Sequence, residues 1–421
     1  MKSTKLTGWL LAGLTTCFGM VSCGDENVAP PEDPTITIDD NSFIPGQYIV
    51  VFNEETTPGS RQGEPDFVRR QDKTAYAAER RKVVNEQINR VVAESNVDAG
   101  KVLARYSAVL TGFAATLTEE EIKSLEANPS VAYVEQDRIV TLDHELEAEY
   151  TAEEFVKASG ASANSAQTTT CAISNAGGTV NGSGSNLFIW IVDTGIDLDH
   201  PDLNVNTQYG RAYVDGSPDD GNGHGTHVAG IAAAVSNSIG VVGVSAGAPV
   251  VPIDVFGSSG STSTSTIIQG MDFVAQNDIS GDVVNMSLGP RFRTGCSSAS
   301  AYRSALDRLN DQSFVALASG NSGDDAAFYD PACQNLPNVF TVASMTCSKG
   351  WSSFSNFGTP VDYIATGSSV TSTYRGGGYA TISGTSMASP VIAGVLHARG
   401  SAPRACGSVS FGSRSYTIGC R

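Results

Sequence analysis

The stretch LFIWIVDTGIDLDHPDL, residues 187–203, begins with six consecutive apolar residues and becomes acidic at Asp193. A strand with one face in water alternates apolar and polar residues, whereas a continuous apolar run is typical of a strand covered on both faces. Three similar runs follow, at residues 283–286, 314–317 and 339–343, with helical patterns between them. The second half of the chain therefore predicts an α/β fold, a mostly parallel sheet covered by helices on both faces.

Polar residues end the first three of these predicted strands. Asp193, Ser287 and Asn321 stand at or just beyond the last apolar residue of each run. Open α/β sheets bind their ligands at the carboxyl ends of their strands. The sequence therefore predicts that these three side chains meet in one cleft.

Length and composition indicate a globular chain of two parts. The protein has 421 residues, 40% of them hydrophobic and 17% charged, which is more than one ordinary core needs. Residues 171–421 contain no glutamate, whereas the preceding residues are rich in it, so a composition boundary lies near 150–170. The net charge of −18 argues against a nucleic-acid partner, because phosphate contacts require a basic surface.

The N-terminus has the pattern of an export signal, residues 1–23. Two lysines precede an apolar run at residues 6–21, and small residues follow it. Met20, Val21, Ser22 and Cys23 resemble a bacterial lipoprotein cleavage box, so acylation of Cys23 and plain secretion both remain open. Residues 24–43 are acidic and contain prolines, as expected of a flexible tether.

Cysteine usage agrees with export. Beyond the predicted signal there are six cysteines, all in the second half: Cys171, Cys296, Cys333, Cys347, Cys406 and Cys420. An even number in an exported chain predicts three disulfides, and buried thiols are the alternative. Cys406 and Cys420 flank an alternating stretch and could close a terminal hairpin, but the sequence selects no pairing.

Residues 47–143 predict a small ferredoxin-like α/β domain. Strands are expected at residues 48–52 and 132–135, paired strands at 106–117, and an amphipathic helix at 77–95. Thr118 and Glu121 have the spacing of a capping box that starts a second helix.

Three motifs in the second half contain the residue types of nucleophilic catalysis. They are DTGIDLDHPDL at 193–203, GHGTHVAG at 223–230 and GTSMASP at 384–390. A hydroxyl is a poor nucleophile at neutral pH, so it needs a base, and the base needs a carboxylate that fixes its tautomer. Ser386 precedes the apolar run VIAGVL, which predicts a helix with Pro390 in its first turn.

These motifs, in the order Asp, His, Ser, resemble the subtilisin family of serine proteases over residues 187–396, and subtilisin is itself the reference case for this order. The resemblance implies that Asp193 orients the imidazole, His224 is the general base and acid, and Ser386 is the nucleophile. It also implies that Asn321, in the segment SGNSG, donates its side-chain amide to the oxyanion.

Neighbouring residues compete for two of these roles. Three more aspartates follow Asp193 within ten residues, but only Asp193 directly ends the apolar strand. His227 lies three residues after His224, and the family pattern gives it a packing role. The two histidines lack the acidic ligand that accompanies such pairs in zinc motifs.

The resemblance also implies where protein or peptide substrates bind. Two short segments would form the walls of the cleft: Ser287, Leu288 and Gly289 on one side, and Ala318, Ser319 and Gly320 on the other. Pairing of main chains gives affinity with little sequence preference. Small residues on these walls suggest room for a sizeable apolar side chain before the scissile bond.

Residues 234–244, AVSNSIGVVGV, resemble the calcium loop of subtilisins. The ligands implied by position are Asp202, the side chain of Asn237 and the carbonyls of Val235, Ile239 and Val241. These are the oxygen ligands that structural Ca²⁺ requires, and a plain turn is the alternative. Gln167 is a candidate for the additional glutamine ligand of the family.

Residues 47–143 resemble the inhibitory propeptide of the same proteases, which implies a zymogen. We expect a domain order of signal 1–23, tether 24–43, propeptide 44–143, linker 144–170 with the processing bond, and protease 171–421. The bond would lie between Leu142 and Cys171. We expect a monomeric enzyme of bacterial type, secreted or held in the cell envelope, that meets the membrane only through a lipid on Cys23.

Two other functions remain as alternatives. A binding protein on an inactive protease fold is disfavoured because all four catalytic positions are filled. An esterase on another α/β fold would place the serine before the acid and the histidine, contrary to the order here.

Overall fold

The structure of the protein, a computed structural model, describes residues 42–53, 65, 67–158, 167–290 and 293–421. All of these belong to one unit by their contacts. The predicted signal, Cys23 and nearly all of the tether lie outside the described residues. Within the described ranges, no helix combines the length and the apolar character that crossing a membrane requires.

The N-terminal half contains five strands and three helices within the described ranges. In chain order they are β1 (Phe43–Phe52), α1 (Arg70–Glu94), β2 (Val102–Tyr106), β3 (Gly112–Thr116), α2 (Glu119–Glu126), β4 (Val131–Thr141), β5 (Glu145–Tyr150) and α3 (Ala152–Ala158). The strands predicted at residues 48–52 and 132–135 and the first helix are present, but α1 begins seven residues before the expected start. The paired strands predicted at 106–117 are only partly right, because residues 107–111 form no strand and the first strand of the pair, β2, ends at Tyr106. The capping box of Thr118 and Glu121 is confirmed, since each residue bonds the backbone N–H of the other.

An antiparallel sheet with the order β4-β1-β3-β2 forms this small domain. Its core contains side chains from the strands and from both α1 and α2, among them Val50, Ile88, Phe113 and Leu125, all fully buried. Since burial of an aliphatic or aromatic side chain contributes about 1.5–3 kcal/mol, this cluster holds the two helices on the sheet.

The C-terminal half contains the following elements in chain order: α4 (Cys171–Asn175), β6 (Val180–Asn181), β7 (Ile189–Asp193), β8 (Arg211–Ala212), α5 (His224–Ala233), β9 (Ser245–Ala246), β10 (Val250–Asp254), β11 (Ser261–Ser263), α6 (Thr264–Asn277), β12 (Val283–Met286), α7 (Ala301–Asn310), β13 (Phe314–Ala318), β14 (Val339–Met345), β15 (Val361–Thr366), β16 (Val370–Tyr374), β17 (Gly378–Ser383), α8 (Thr385–Arg399), β18 (Arg404–Phe411) and β19 (Arg414–Cys420).

A nine-stranded sheet with the order β18-β19-β15-β14-β13-β12-β7-β10-β8 forms the centre of this half. All neighbouring strands run parallel except β18 and β19, which form a terminal hairpin. One face packs on α6 and α7 and the other on α5 and α8, so strands such as β7 are buried on both sides. The predicted parallel sheet with helices on both faces is confirmed.

Three disulfides join the six cysteines of the second half. The pairs are Cys171–Cys347, Cys296–Cys333 and Cys406–Cys420. The last pair ties β18 to β19, which is the terminal hairpin that the spacing suggested. The prediction of three disulfides is confirmed, and the structure supplies the pairing that the sequence left open.

The small domain covers α6 and α7 and places a carboxylate at the start of each helix. Oδ1 of Asp137 accepts the backbone N–H of Ser265 at 3.0 Å, and Oε2 of Glu135 accepts that of Ala301 at 2.8 Å. The unpaired N–H groups and the dipole at a helix N-terminus favour such carboxylates.

Two buried ion pairs fasten α1 to the second half. Arg70 pairs with Asp282, with a shortest N–O distance of 2.6 Å, and Lys73 pairs with Asp278. All four side chains are at most 8% exposed. Breaking such a pair leaves an uncompensated buried charge, so both pairs hold the two halves in one relative position.

Candidate active site

A hydrogen-bonded aspartate and histidine lie at the carboxyl edge of the sheet. Asp193 is the last residue of β7 and His224 the first residue of α5. Nδ1 of His224 lies 2.7 Å from Oδ1 of Asp193, and both side chains are fully buried. Among the described residues, Nε2 of His224 has no hydrogen-bond partner. The ring is therefore fixed at one nitrogen, while the other is buried and leaves its hydrogen-bonding capacity unused.

The competing residues make other contacts. The carboxylate of Asp197 accepts the backbone N–H of Gly377 at 2.8 Å. Nε2 of His227 lies 3.0 Å from the carbonyls of both Val370 and Ala380, so it carries a proton that it shares between them. Burial lowers the pKa of His227 to about 3, which keeps the ring neutral. In the described ranges, no cluster of three His, Cys, Asp or Glu residues could hold a metal.

Ser386 is the second residue of α8. Its hydroxyl donates to the carbonyl of Ser287 at 3.2 Å, and its own carbonyl accepts the hydroxyl of Ser287 at 2.8 Å. Because α8 begins at Thr385, Pro390 is the sixth helical residue, so its predicted place in the first turn is wrong. Proline has no N–H, which leaves the carbonyl four residues earlier, that of Ser386, without a partner inside the helix. The hydroxyl of Ser287 satisfies it.

The side chain of Asn321 is held in one orientation by the start of α8. Its Oδ1 accepts the backbone N–H and the hydroxyl of Thr385, both at 2.8 Å. Its Nδ2 therefore points away from the helix, and it donates to the backbone carbonyl of Asp143, two residues after β4. This amide therefore holds a carbonyl of the N-terminal half of the same chain.

The next residue, His144, contacts the buried histidine. The ring centroids of His144 and His224 lie 4.7 Å apart. Burial, with the neighbouring ring of His224, lowers the pKa of His144 to about 3. The peptide bond between Asp143 and His144 thus lies between the amide of Asn321 on one side and the ring of His224 on the other.

Residues before this bond pair with an edge strand that the sequence did not indicate. Strand β4 runs antiparallel to β11, with Ile139 opposite Ser263, and the backbone N–H of Leu142 donates to the carbonyl of Gly260 at 2.9 Å. The signal for β11 is weak, because a three-residue polar strand carries no apolar pattern. Only the run of serines and threonines before α6 could have suggested it.

The predicted walls of the cleft lie at the ends of β12 and β13. The backbone N–H of Gly320 donates to the hydroxyl of Thr385 at 3.1 Å, which joins the end of β13 to the start of α8. In the described part of the chain, β4 has only β1 and β11 as strand neighbours, so Ser287, Leu288 and Gly289 form no ladder with it. The residue before the contacted bond is the acidic Asp143, which differs from the apolar side chain that the small residues suggested.

Residues after the bond pair with the strand that leads into Ser386. Strand β5 runs antiparallel to β17, with Glu145 opposite Ser383 and Tyr150 opposite Tyr379. The ring of Phe155, in α3, then stacks on that of Tyr379 with centroids 4.4 Å apart. One continuous segment, residues 139–155, therefore lies across the candidate site on both sides of the Asp143–His144 bond.

Comparisons with known proteins agree with this geometry. Residues 184–398 match the subtilase family, and residues 47–143 match the peptidase inhibitor I9 family. The chain belongs to the subtilase family. It is a serine endopeptidase with an N-terminal propeptide of the I9 type, and its α/β fold is that of the family.

Individual relatives span both halves of this subtilase. Subtilisin amylosacchariticus from Bacillus subtilis subsp. amylosacchariticus is 37% identical over 302 residues, covering 70% of this chain and 71% of its own. Alkaline serine exoprotease A from Vibrio alginolyticus is 34% identical over 360 residues, 85% of this chain and 60% of its own. A crystal structure of a cold adapted subtilisin-like serine proteinase aligns at 38% identity with a TM-score of 0.43, over 52% of this chain and 76% of that one.

The loop of this subtilase at residues 234–244 gathers four oxygen atoms around one point. Nε2 of Gln167 lies 2.9 Å from the carbonyl oxygen of Val241, 3.4 Å from that of Ile239 and 3.2 Å from Oδ1 of Asn237, and it also contacts the carbonyl oxygen of Val235. These oxygens come from four of the five residues predicted as ligands, and Asp202 is the fifth. A convergent set of neutral oxygens fits a hard cation, and Gln167, only a candidate in the sequence, lies at its centre.

Asp202 forms hydrogen bonds to the same loop of the subtilase. Its carboxylate accepts the amide of Asn237 at 2.8 Å and the backbone N–H of Val241 at 2.9 Å. Burial raises the pKa of Asp202 to about 7. A buried carboxylate with raised pKa would gain from a nearby cation.

Proposed function

We propose that the protein is an exported serine endopeptidase in which Asp193, His224, Ser386 and Asn321 carry the chemistry. The observation that carries the proposal is the hydrogen bond from the amide of Asn321 to the carbonyl of Asp143. It supports a substrate-like position for the chain of the propeptide, with the carbonyl oxygen at an oxyanion donor. Protein or peptide chains with a similarly extended backbone are the proposed substrates.

The proposed reaction uses the fixed ring of His224. Its Nε2 takes the proton of the Ser386 hydroxyl as the oxygen attacks the carbonyl carbon, and later gives that proton to the leaving amine. Asp193, bonded to Nδ1, keeps the tautomer that leaves Nε2 able to accept. Asn321 and the backbone N–H of Ser386 stabilise the oxyanion, and water then hydrolyses the acyl-enzyme.

A fluorophosphonate probe tests this assignment, because it labels only an activated serine. The active enzyme is expected to take up one label, and Ser386→Ala to take up none while it keeps the fold by circular dichroism. His224→Ala should label far more slowly than the unmodified enzyme. Normal peptide hydrolysis by Ser386→Ala would exclude the proposal, as would labelling of Ser386→Ala to the same extent as the unmodified enzyme.

We further infer that the precursor cuts itself at the bond between Asp143 and His144. Three contacts support this bond: the amide of Asn321 on the carbonyl before it, the ring of His224 against the side chain after it, and the pairing of β4 with β11. The proposed propeptide then ends at Asp143, and the predicted linker becomes the N-terminus of the first product. Until it leaves, the propeptide inhibits the enzyme because it fills the cleft.

N-terminal sequencing of the first processing product tests the bond. The expected sequence begins His144-Glu145-Leu146. The Ser386→Ala variant should remain full length in a host without other proteases, which separates self-cleavage from cleavage by another enzyme. A first product that begins elsewhere, or normal maturation of Ser386→Ala, would contradict the inference.

We also propose that residues 234–244, with Asp202 and Gln167, bind one structural Ca²⁺. The convergence of four oxygens on one point supports this site, since a rotated Gln167 amide would offer its own oxygen to the same ion. The ion would fix the loop and take no part in the reaction.

Export is proposed from the sequence of the N-terminus and from the disulfides. Residues 1–23 have the pattern of a signal, and three disulfides are expected of a protein that folds in an oxidising compartment. We propose secretion or retention in the cell envelope, the latter through a lipid on Cys23. Because Cys23 precedes the proposed cleavage, a lipid there would stay on the propeptide.

A further inference from the structure

Arg70, the first residue of α1, places its guanidinium in a pocket of the second half of the chain. Nη1 donates to Oδ2 of Asp282 at 2.6 Å and Nη2 donates to Oδ1 at 3.0 Å. The same nitrogens donate to the backbone carbonyls of Asn277 at 2.7 Å and Asn186 at 3.1 Å. Four donated hydrogen bonds in one plane match the fork shape of a guanidinium, which an ammonium group cannot reproduce.

Three aromatic rings form the walls of this pocket. The central carbon of the guanidinium lies 3.7 Å from the ring centroid of Phe188, 5.5 Å from that of Trp190 and 5.7 Å from that of Tyr209. The three rings also pack on one another, with centroids 5.6–6.2 Å apart. Aromatic faces grouped around a carboxylate attract organic cations through the ring quadrupoles.

The carboxylate of the pocket is oriented by the second half of the chain alone. Asp282 accepts the backbone N–H of Phe188 and the indole N–H of Trp190, both at 2.9 Å, and the backbone N–H of Ile279 at 3.2 Å. None of these donors belongs to the propeptide. The negative charge and the rings therefore stay in place when Arg70 leaves, and the pocket is built before its cation arrives.

The pocket lies outside the cleft. Phe188 directly precedes β7, and Asp193 ends it. Five residues of strand separate the two by about 16 Å. A side chain bound at Phe188 can therefore belong to a polypeptide that does not occupy the reacting bond.

We propose that this guanidinium pocket, formed by Phe188, Trp190, Tyr209 and Asp282, is a binding site of the mature enzyme for an arginine side chain of a polypeptide. Arg70 fills it in the precursor. The proposal rests on the proposed self-processing, because the pocket becomes free only when the propeptide leaves.

The first experiment tests the chemistry of the pocket in the uncleaved chain. In a Ser386→Ala precursor, Arg70→Ala removes the guanidinium, and added ethylguanidinium should restore the melting temperature saturably by roughly 2 °C or more. Ethylammonium at equal concentration should not. Arg69→Ala is the matched control, since Arg69 is exposed and pairs with Asp72 in the first turn of α1. If Arg70→Ala does not fold, recovery of its folded circular dichroism spectrum on addition of ethylguanidinium is measured instead, and absence of rescue by ethylguanidinium overturns the proposal.

The second experiment tests the mature enzyme, blocked at Ser386 with fluorophosphonate so that no peptide is cut. Binding of a capped peptide with one arginine is followed by the tryptophan fluorescence of a Trp351→Phe enzyme, which leaves Trp190 as the reporter, with the same peptide containing citrulline as the uncharged control. The arginine peptide should bind at least tenfold more tightly, and Phe188→Leu should remove the difference. Equal binding of both peptides, or of neither, would show that the pocket only anchors the propeptide and would overturn the proposal.

The two experiments separate the pocket from the catalytic proposal. Failure of the fluorophosphonate to label would count against Ser386 as the nucleophile. It would not affect the rescue by ethylguanidinium, which is measured by unfolding of an uncleaved and inactive chain.

Discussion

Replacing Glu135 with glutamine is expected to slow the release of the cleaved propeptide at alkaline pH. In the precursor, the carboxylate of Glu135 accepts the N–H of Ala301 at the start of α7. Burial, with a smaller effect of the nearby Asp330, raises the pKa of Glu135 from 4.5 to about 7, even though the N–H of Ala301 and the charge of Arg138 act in the opposite direction.

The direction of the pKa shift of Glu135 determines how propeptide binding changes with pH. A carboxyl whose pKa is higher in the complex than in the free propeptide favours binding when it is protonated. The complex is therefore stabilised at low pH and weakened as the pH rises from 4.5 to about 7, with the full loss above that value.

The size of the pKa shift of Glu135 sets an upper limit on the change in binding free energy of the propeptide. A change from 4.5 to about 7 corresponds to about 3 kcal/mol, because each unit is worth about 1.4 kcal/mol. Glu135 retains some solvent exposure, which screens the charge, so we expect about 1–2 kcal/mol, or about 5- to 30-fold in affinity. Glutamine keeps an oxygen for the N–H of Ala301 and carries no charge. The propeptide with glutamine at position 135 should therefore bind the protease more tightly than the unmodified propeptide above pH 7, and about equally tightly near pH 5.

The assay follows the onset of activity after processing. Precursors with Glu135 or Gln at this position are first shown to be cleaved to the same extent, then diluted into buffers on either side of neutral pH with a fluorogenic peptide. Activity is normalised to fully activated enzyme at each pH. Glu120→Gln, an exposed change on α2, is the control. Release that is faster for Glu135→Gln above pH 7, or a difference that is the same at every pH, would refute the reasoning.

Four further outcomes are expected. His227→Ala should lower stability by about 2–4 kcal/mol, since it opens a buried cavity and removes the hydrogen bonds of the ring to two carbonyls, yet change kcat by less than about tenfold; a larger loss in kcat at unchanged melting temperature would contradict a packing role. Asn321→Ala should lower kcat by about 10²–10³ with little change in KM, the range for which subtilisin is itself the standard case. A chelator should lower the melting temperature of the unmodified enzyme but hardly that of Asn237→Ala, and equal shifts would remove the calcium site. Replacing both Cys171 and Cys347 with serine removes a disulfide whose two residues are 176 positions apart, and this should lower stability by up to about 5 kcal/mol. An unchanged melting curve would contradict this expectation.

Features that depend on local patterns could be predicted from the sequence. The apolar run before Asp193 forms β7 and the motif around His224 begins helix α5, which packs on the same sheet, and the two side chains meet as expected. The capping box at Thr118 was also predictable, because both of its members lie within four residues. At these two sites, the order and periodicity of neighbouring residues were enough to predict the contact.

Other features depend on partners distant in the chain. Strand β11 has three polar residues and becomes a strand only because β4 pairs with it. Cys171 and Cys347 are 176 residues apart, and no spacing rule selects them. Arg70 lies before the helix that the periodicity indicated, and its role depends on a carboxylate 212 residues away. Such pairings are set by packing of the two halves, which a single sequence does not show.

The pairing of β5 with β17 determines how the cleft would empty. If the bond between Asp143 and His144 is cut, the propeptide is held only by non-covalent contacts, so dilution favours its loss. Strand β5 would remain on the protease chain, where its local concentration is set by the tether and not by the solution. The side of the cleft that the propeptide covers would therefore open when the enzyme is diluted. On the side covered by β5, the rate of opening would not depend on the concentration of the protein. A newly cleaved molecule would therefore still have β5 over that side of the cleft after the propeptide had dissociated.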